Sequence, residues 1–240
     1  EIVLSDLFKD VTIQNQPVMT DGITVGTYDI VDKVLTFTFN DQIENGNVSN
    51  GQFGLRLEFD LTKFEDEIEQ EIQFNDKDNS TLTVIAKPTS LSNDISKEGH
   101  PDRTHNAQEI TWSIDVMNNT DKPLTDASLK DILPDGLGEP KNFKLIPLKT
   151  KLNGEKVISG SEQLIEPTIT DNNFSYGFDE LDPYYGYRIQ YTTPITDKSL
   201  TEFTNNATFN DGNKDLPAKA TVSGLTVSNP IEKSGSYDKA

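Results

Sequence analysis

Three polar residues of this chain sit where the surrounding alternation asks for apolar ones. Lys97 shares a strand face with Ile95 in ISKEGHPD, Asp131 stands between Leu129 and Leu133 in LKDIL, and Asn205 stands between Phe203 and Ala207 in EFTNNATF. A buried lysine or aspartate alone is costly, because each ion gives up its hydration. Chemistry offers a joint explanation. A lysine amine made neutral by burial can attack an asparagine carboxamide, expel ammonia and leave an uncharged isopeptide bond. A buried carboxyl with a raised pKa can donate a proton to the amide, which assigns Asp131 as acid and shuttle. The same residues also permit a plainer reading, in which Lys97 carries its amine out to solvent and Asn205 caps a turn.

The elements that would position these groups are strands. VLTFTF (34–39), FGLRLEF (53–59), EITWSIDV (109–116), YRIQYTTPI (187–195) and KATVSGLTV (219–227) alternate with period two. Turn clusters such as NGNVSNG, MNNTDKP, LPDGLGEP and FNDGNKD separate them. LTKFEDEIEQEI fits either a helical turn or a loop entering a strand. The pattern predicts an all-β protein of two tandem immunoglobulin-like antiparallel sandwiches. The expected domains are 1–86 and 95–228, joined by a polar linker over 87–94, with a tail after them.

An octet organises this reading. ISKEGHPD (95–102) and IEKSGSYD (231–238) both read I-x-K-x-G-x-x-D, and their lysines, Lys97 and Lys233, lie 136 positions apart (233 − 97), about one domain. Each octet is expected to be the opening strand of a domain. By that spacing the first domain lacks its opening strands. The tail 229–240 then begins a further domain, with Lys233 as its cross-linking lysine.

Composition removes other function classes. Acidic residues outnumber basic ones 40 to 21, a net charge of −19, so nucleic acid and anionic lipid are disfavoured as partners. There is no cysteine, hence no disulfide, thiol nucleophile or cysteine-ligated zinc. No run approaches the ~18 apolar residues of a membrane-spanning helix. The two histidines, His100 and His105, stand in a polar segment without a nucleophile or metal spacing around them. NDKDNS (75–80) lacks the glycine and closing glutamate of a calcium loop and reads as a hairpin turn. No cofactor, metal or catalytic turnover is expected.

At these residues the chain resembles a known family. ISKEG, ITWSIDV, LKDILPDGL, YRIQYTTPI and EFTNNATF are similar, in order and spacing, to the collagen-binding domain of Gram-positive cell-wall-anchored adhesins. The resemblance covers about 95–228. It implies an immunoglobulin-like sandwich with a Lys97–Asn205 isopeptide bond catalysed by Asp131. GTYDIVDKVLTFTFNDQIENGNVSNGQFGLRLEFD looks, more loosely, like the preceding subdomain of the same adhesins, with no inward Lys, Asp and Asn set of its own. In that family two subdomains clasp a ligand, a linker closes over it, and a C-terminal segment inserts as an extra strand.

The resemblance implies an extracellular protein at a bacterial surface, anchored through a region outside this chain. It implies a host matrix partner of the collagen or fibrinogen class. Tyr184, Tyr185 and Tyr187 in DPYYGYRIQY are candidate ligand contacts, since tyrosine suits binding surfaces. Tyr187 and Tyr191, at strand spacing, equally fit core or cross-strand pairs. The alternative function is a stalk that only spaces a distal binding domain. The tail 229–240 is read first as a domain start, with a latch strand and a strand exchanged with another copy across an open sheet edge as the alternatives.

Overall fold

The computed structural model describes residues 1–20, 22–45, 54–73, 80–88 and 92–225. The chain forms two units, Glu1–Pro88 and Thr89–Ala240. Both are built from antiparallel strands, as the alternation predicts. The tail 229–240, with Lys233, lies outside the described residues.

Unit 1 contains β1 (Ile2–Val3), β2 (Ile13–Thr20), β3 (Ile23–Val31) and β4 (Val34–Phe39), in a sheet of order β1-β4-β3-β2. A short helix, α1 (Asp41–Asn45), follows β4, and β5 (Glu69–Gln73) and β6 (Thr81–Ile85) form a separate hairpin. Ile30 and Leu35 face each other across β3 and β4 and join Leu4 in a small core, with Phe8, Tyr28, Phe37, Leu55 and Leu57 packed against it. The alternation of FGLRLEF predicts a strand. Over the described part, residues 54–59, the chain runs outside any named strand and joins the fold through one bridge, Phe8 to Phe59. Leu55 and Leu57 still reach the core. The alternation sets which side chains turn inward, but a ladder also needs a partner strand, and β1 ends at Val3. LTKFEDEIEQEI resolves into a 3-10 turn over Leu61–Lys63, capped by the Asp60 carboxylate, and then the strand β5.

Unit 2 begins with β7 (Asp94–Pro101), β8 (Glu109–Met117), β9 (Ser128–Ile132) and β10 (Lys141–Thr150). It continues through β11 (Lys156–Ile158), β12 (Gln163–Leu164), β13 (Thr168–Thr170) and β14 (Asn173–Gly177). The last strands are β15 (Tyr185–Pro194), β16 (Phe203–Asn210) and β17 (Asp215–Val222). One sheet has the order β11-β10-β15-β8-β7, with β12 also on β10, and the other has the order β13-β14-β9-β16-β17. The chain crosses between the sheets repeatedly, and the inward residues of both interlock in one core, the arrangement of a sandwich. Ile110, Trp112, Ile114 and Val116 come from β8, Ile189 and Tyr191 from β15, and Leu129, Phe174, Ala207 and Phe209 from the opposite sheet. A fully buried side chain of this size contributes about 1.5–3 kcal/mol.

β17 starts at Asp215, four residues ahead of the alternating KATVSGLTV. Pro217 hides this start from a pattern reading. The strand tolerates it because β17 is a sheet edge, where a missing N–H costs no ladder bond.

Candidate functional site

The octet at 95–102 shows how a sequence pattern becomes a site. β7 is an edge strand paired only with β8, Lys97 opposite Ile114 and Gly99 opposite Trp112. Ile95, Lys97 and Gly99 face inward at alternate positions. Ile95 packs on the core. Gly99 leaves room for the Trp112 ring, since a Cβ there would lie 2.4 Å from Cζ3 of Trp112. Asp102 closes the turn: its Oδ1 accepts from the backbone N–H of Gln108 at 2.8 Å, and its backbone N–H donates to the Glu109 carbonyl at 3.0 Å. All four fixed positions of the octet therefore have a structural task, and that of the lysine is to carry an amine into the core.

Lys97 enters the core from one sheet and Asp131 meets it from the other. Lys97 Nζ donates to Asp131 Oδ2, and both side chains are 0% exposed. Asp131 lies on β9 between Phe174 of β14 and Ala207 of β16. Asn205, two residues before Ala207, presents its side chain on the same inward face and is fully buried. Tyr191 of β15 completes the group. Its hydroxyl donates to Asp131 Oδ2 at 2.9 Å and accepts from Asn205 Nδ2 at 2.8 Å, with Lys97 Nζ 3.4 Å away. The ring is locked by Phe143 (stacked, centroids 5.2 Å apart) and Phe174 (edge-on, 4.9 Å). The Lys97 ammonium also lies over the rings of Trp112 and Tyr191, 5.5 and 5.7 Å from their centroids.

Electrostatics favours the neutral forms. Burial pulls the Lys97 amine down to about 8, against the upward pull of Asp131. Burial pushes the Asp131 carboxyl up, although Lys97, Tyr191 and Asn205 each hold it back. The Tyr191 hydroxyl is held well above its usual value, first by burial and then by the neighbouring carboxylate. Both shifts of the Lys97–Asp131 pair favour moving a proton from ammonium to carboxylate.

Two buried oxygens, Oδ1 of Asp131 and Oδ1 of Asn205, have no hydrogen-bond partner among the described residues. Both are acceptors while Asp131 is a carboxylate. A proton on Oδ1 of a neutral Asp131 would turn one of them into a donor. The arrangement thus holds an amine and a carboxyl, each shifted toward its neutral form, beside a carboxamide in one buried cluster, the parts an amide exchange requires.

The three residues singled out from alternation are therefore brought together. Tyr191 is the member of the cluster that sequence reasoning did not assign to it. Its signal was present in YRIQYTTPI, where it alternates inward and stands opposite Trp112. A core tyrosine and a reactive one look alike in sequence until the partner of the hydroxyl is known.

The other tyrosines separate. Tyr184 is buried at a corner with φ 65°, and Tyr187 stacks on Phe178 with ring centroids 5.9 Å apart. Tyr185 is the exposed one of the three. His100 stands at the end of β7, exposed, within 3.6 Å of Glu98.

The outer face of the β7-side sheet carries a second feature. Lys156 on β11 donates to Asp94 Oδ2 at 2.7 Å and to Ser96 Oγ at 3.3 Å, both on β7. These strands are the two ends of the sheet order. Four steps of ~4.8 Å would hold them roughly 19 Å apart in a flat sheet, far beyond the reach of one lysine. The sheet must curl around its outer face into a trough. The curl explains why Ser113, Asp115, Met117 and Leu148 are buried although they face away from the sandwich core. On the trough floor Arg188 pairs in bidentate fashion with Asp115, Nε to Oδ1 at 2.7 Å and Nη2 to Oδ2 at 2.9 Å, and Gln190 donates to Ser113 Oγ at 3.3 Å.

Unit 2 is thus an antiparallel sandwich with a buried lysine–aspartate–asparagine–tyrosine cluster tying its two sheets together. Its sequence matches the collagen binding domain family over residues 92–218, more than half of the chain, and the chain belongs to that family. Among solved structures it is similar to the collagen adhesin from S. aureus, at 18% identity and TM-score 0.39, over 92% of this chain and 77% of that one. It is also similar to the collagen binding subdomain of the Enterococcus faecalis surface protein ACE, at 17% identity and TM-score 0.37, over 58% and 98%. A longer ACE structure, titled as binding its ligands by the collagen Hug model, aligns at 15% identity and TM-score 0.42 over 94% and 83%. No curated protein matches the chain.

Proposed function

We propose that this chain is the ligand-binding part of a Gram-positive surface adhesin that recognises a collagen-like host matrix protein, and that unit 2 cross-links itself through a Lys97–Asn205 isopeptide bond catalysed by Asp131. The family match over 92–218 carries the first half of this reading. The burial of Lys97, Asp131 and Asn205 in one cluster supports the second.

The trough is the ligand face this reading favours. It is polar, with Arg188, Gln190 and Thr192 on one strand and Thr111 and Ser113 on the next, and such groups suit the exposed carbonyls of a triple helix. Tyr185, the exposed tyrosine at the end of β15, has the strand parity of Tyr187 and Tyr191 and so points away from this face. A ligand held there is clasped by both units, with 87–94 as the connection. The reaction at Lys97 is a single self-modification, so the protein binds and does not turn substrate over.

One observation favours a second reading, that of a stalk. The octet that opens unit 2 recurs at 231–238, so the tail is assigned to the start of a further unit with Lys233 as its reactive amine. A latch strand, or exchange of 229–240 between copies, is the competing role for the same residues.

Two measurements test the proposal. Intact mass comes first: the purified chain should be short by one ammonia, and Lys97→Ala and Asp131→Ala should each restore the full mass. A full mass in the unaltered chain removes the cross-link. Binding to immobilised triple-helical collagen, heat-denatured collagen and fibrinogen comes second. Saturable binding to the triple helix supports the adhesin, whereas no binding to any matrix protein leaves the stalk.

A further inference from the structure

We propose that Tyr191 is a catalytic residue of the cross-linking reaction: its hydroxyl carries the proton given up by Lys97 to the departing nitrogen of Asn205. The inference rests on the cross-link reading above and adds a residue to it. The geometry is a continuous relay. Asn205 Nδ2 donates to the Tyr191 hydroxyl at 2.8 Å, the hydroxyl donates to Asp131 Oδ2 at 2.9 Å, and Lys97 Nζ donates to the same Oδ2. The leaving nitrogen and the nucleophile are joined to the carboxyl by different routes, and the tyrosine is the link on the leaving side.

The protons balance along this path. With Lys97 as a neutral amine and Asp131 as a neutral acid, Nζ attacks Cγ of Asn205 and a new C–N bond forms. Oδ1 of Asp131 gives its proton to the Asn205 oxygen as the carbonyl becomes tetrahedral. The nitrogen of Lys97, now positively charged, passes one proton to Oδ2 of Asp131, which it touches. The amide nitrogen of Asn205 has meanwhile gained a lone pair and become an acceptor. Oδ2 returns its proton to the Tyr191 oxygen while the tyrosine gives its own to that nitrogen, so both hydrogen bonds of the relay reverse. The C–Nδ2 bond breaks, ammonia leaves, and the Asn205 oxygen hands its proton back to Oδ1 as the carbonyl reforms. No co-reactant is needed and Tyr191 ends unchanged.

A direct route from Asp131 to the leaving nitrogen competes with this relay. The arrangement of Oδ2 argues against it. That oxygen accepts from both Lys97 and Tyr191, and the atom between it and the leaving nitrogen is the tyrosine oxygen. The ring is held by Phe143 and Phe174, so the hydroxyl is fixed and need not search for its partner.

The test is a time course of intact mass in cell-free synthesis of the full chain, quenched in denaturant. Three chains are compared: unaltered, Tyr191→Phe, and a chain with 3,5-difluorotyrosine at 191, whose hydroxyl is more acidic. Tyr191→Phe keeps the stacked ring and removes only the relay. We expect it to lose ammonia at least about tenfold more slowly, since general acid catalysis contributes roughly 10²–10⁴ in rate, while the fluorinated chain regains cross-linking at a rate different from the unaltered one. If Tyr191→Phe links as fast as the unaltered chain, the relay is wrong and the Lys–Asp–Asn reading stands. Should Tyr191→Phe fail to fold, the fluorinated chain decides: an altered rate supports the relay, and an unaltered rate overturns it. If the unaltered chain never loses ammonia, the cross-link reading itself falls and this inference with it.

Discussion

Lys97 and Asp131 meet in the middle of unit 2 from opposite sheets, amine against carboxyl, with no solvent at either. As an ion pair this contact would strengthen the sandwich little, because two desolvation costs stand against one attraction. As the starting point of an amide bond it has a different value. A Lys97–Asn205 bond would turn the amine into an uncharged amide, leave Asp131 as a neutral acid, and join the edge strand β7 to β16 of the other sheet.

The first prediction concerns the order of stabilities. A Lys97–Asn205 link closes a loop of about 108 positions, for which chain entropy gives ~4–5 kcal/mol. Asn205→Ala removes the link and the hydrogen bond to Tyr191 but leaves the Lys97 amine paired with Asp131. Asp131→Ala removes the link and strands a buried amine, a further loss of about 3–5 kcal/mol. Urea unfolding should rank the unaltered chain above Asn205→Ala and Asn205→Ala above Asp131→Ala. Equal midpoints for the two variants would show that the buried amine costs nothing.

A second prediction follows from the depressed Lys97 pKa. In Asn205→Ala the amine remains free, with a folded value near 8 against 10.5 unfolded. Between those values the unfolded chain binds more protons than the folded one, so stability rises with pH across this window. The rise is at most about 1.4 kcal/mol per pH unit for the one proton involved. Lys97→Met in the same background should abolish it. Denaturant midpoints from pH 7.5 to 10.5 that run parallel in the two variants would refute the shift.

Gly99 supplies a third. A methyl group there collides with the Trp112 ring and with Val222. Gly99→Ala should cost about 1–3 kcal/mol through displacement of packed groups. Trp112 is the chain's single tryptophan, so its emission should shift in this variant and report the displacement directly. An unchanged spectrum and melting temperature would mean the ring has room to spare.

The trough supplies a fourth. Arg188→Ala breaks the bidentate pair and leaves the buried Asp115 carboxylate without it, so stability should fall by more than the about 1 kcal/mol of an exposed pair. Lys156→Ala removes the strap to Asp94 and opens one end of the trough. Both should weaken binding to triple-helical collagen while leaving the isopeptide mass loss intact. Full collagen affinity in both variants would move the ligand away from this face.

Much of the fold was legible because strand residues alternate with a period of two. LKDIL and EFTNNATF already showed Asp131 and Asn205 facing inward, and the octet showed Lys97 doing the same. What alternation leaves open is which inward groups meet. Tyr191 illustrates the limit: its ring belongs to the core, but the role of its hydroxyl depends on Asp131, 60 positions earlier, and on Asn205, 14 positions later. FGLRLEF illustrates it from the other side, since its apolar residues turn inward while its backbone, over the described residues, finds only one bridge.

The amino-acid sequence by itself determined the class of fold, the inward register of the three reactive residues and the acidic character of the surface, because each depends on residue type and local spacing. The tertiary structure alone decided that Lys97 and Asp131 approach from different sheets, that Tyr191 bridges Asp131 and Asn205, and that the β7-side sheet curls far enough for Lys156 to reach Asp94. These relationships join residues tens of positions apart. They arise from strand pairing and sheet curvature, which are set by the packing of the whole unit and by no single stretch of chain.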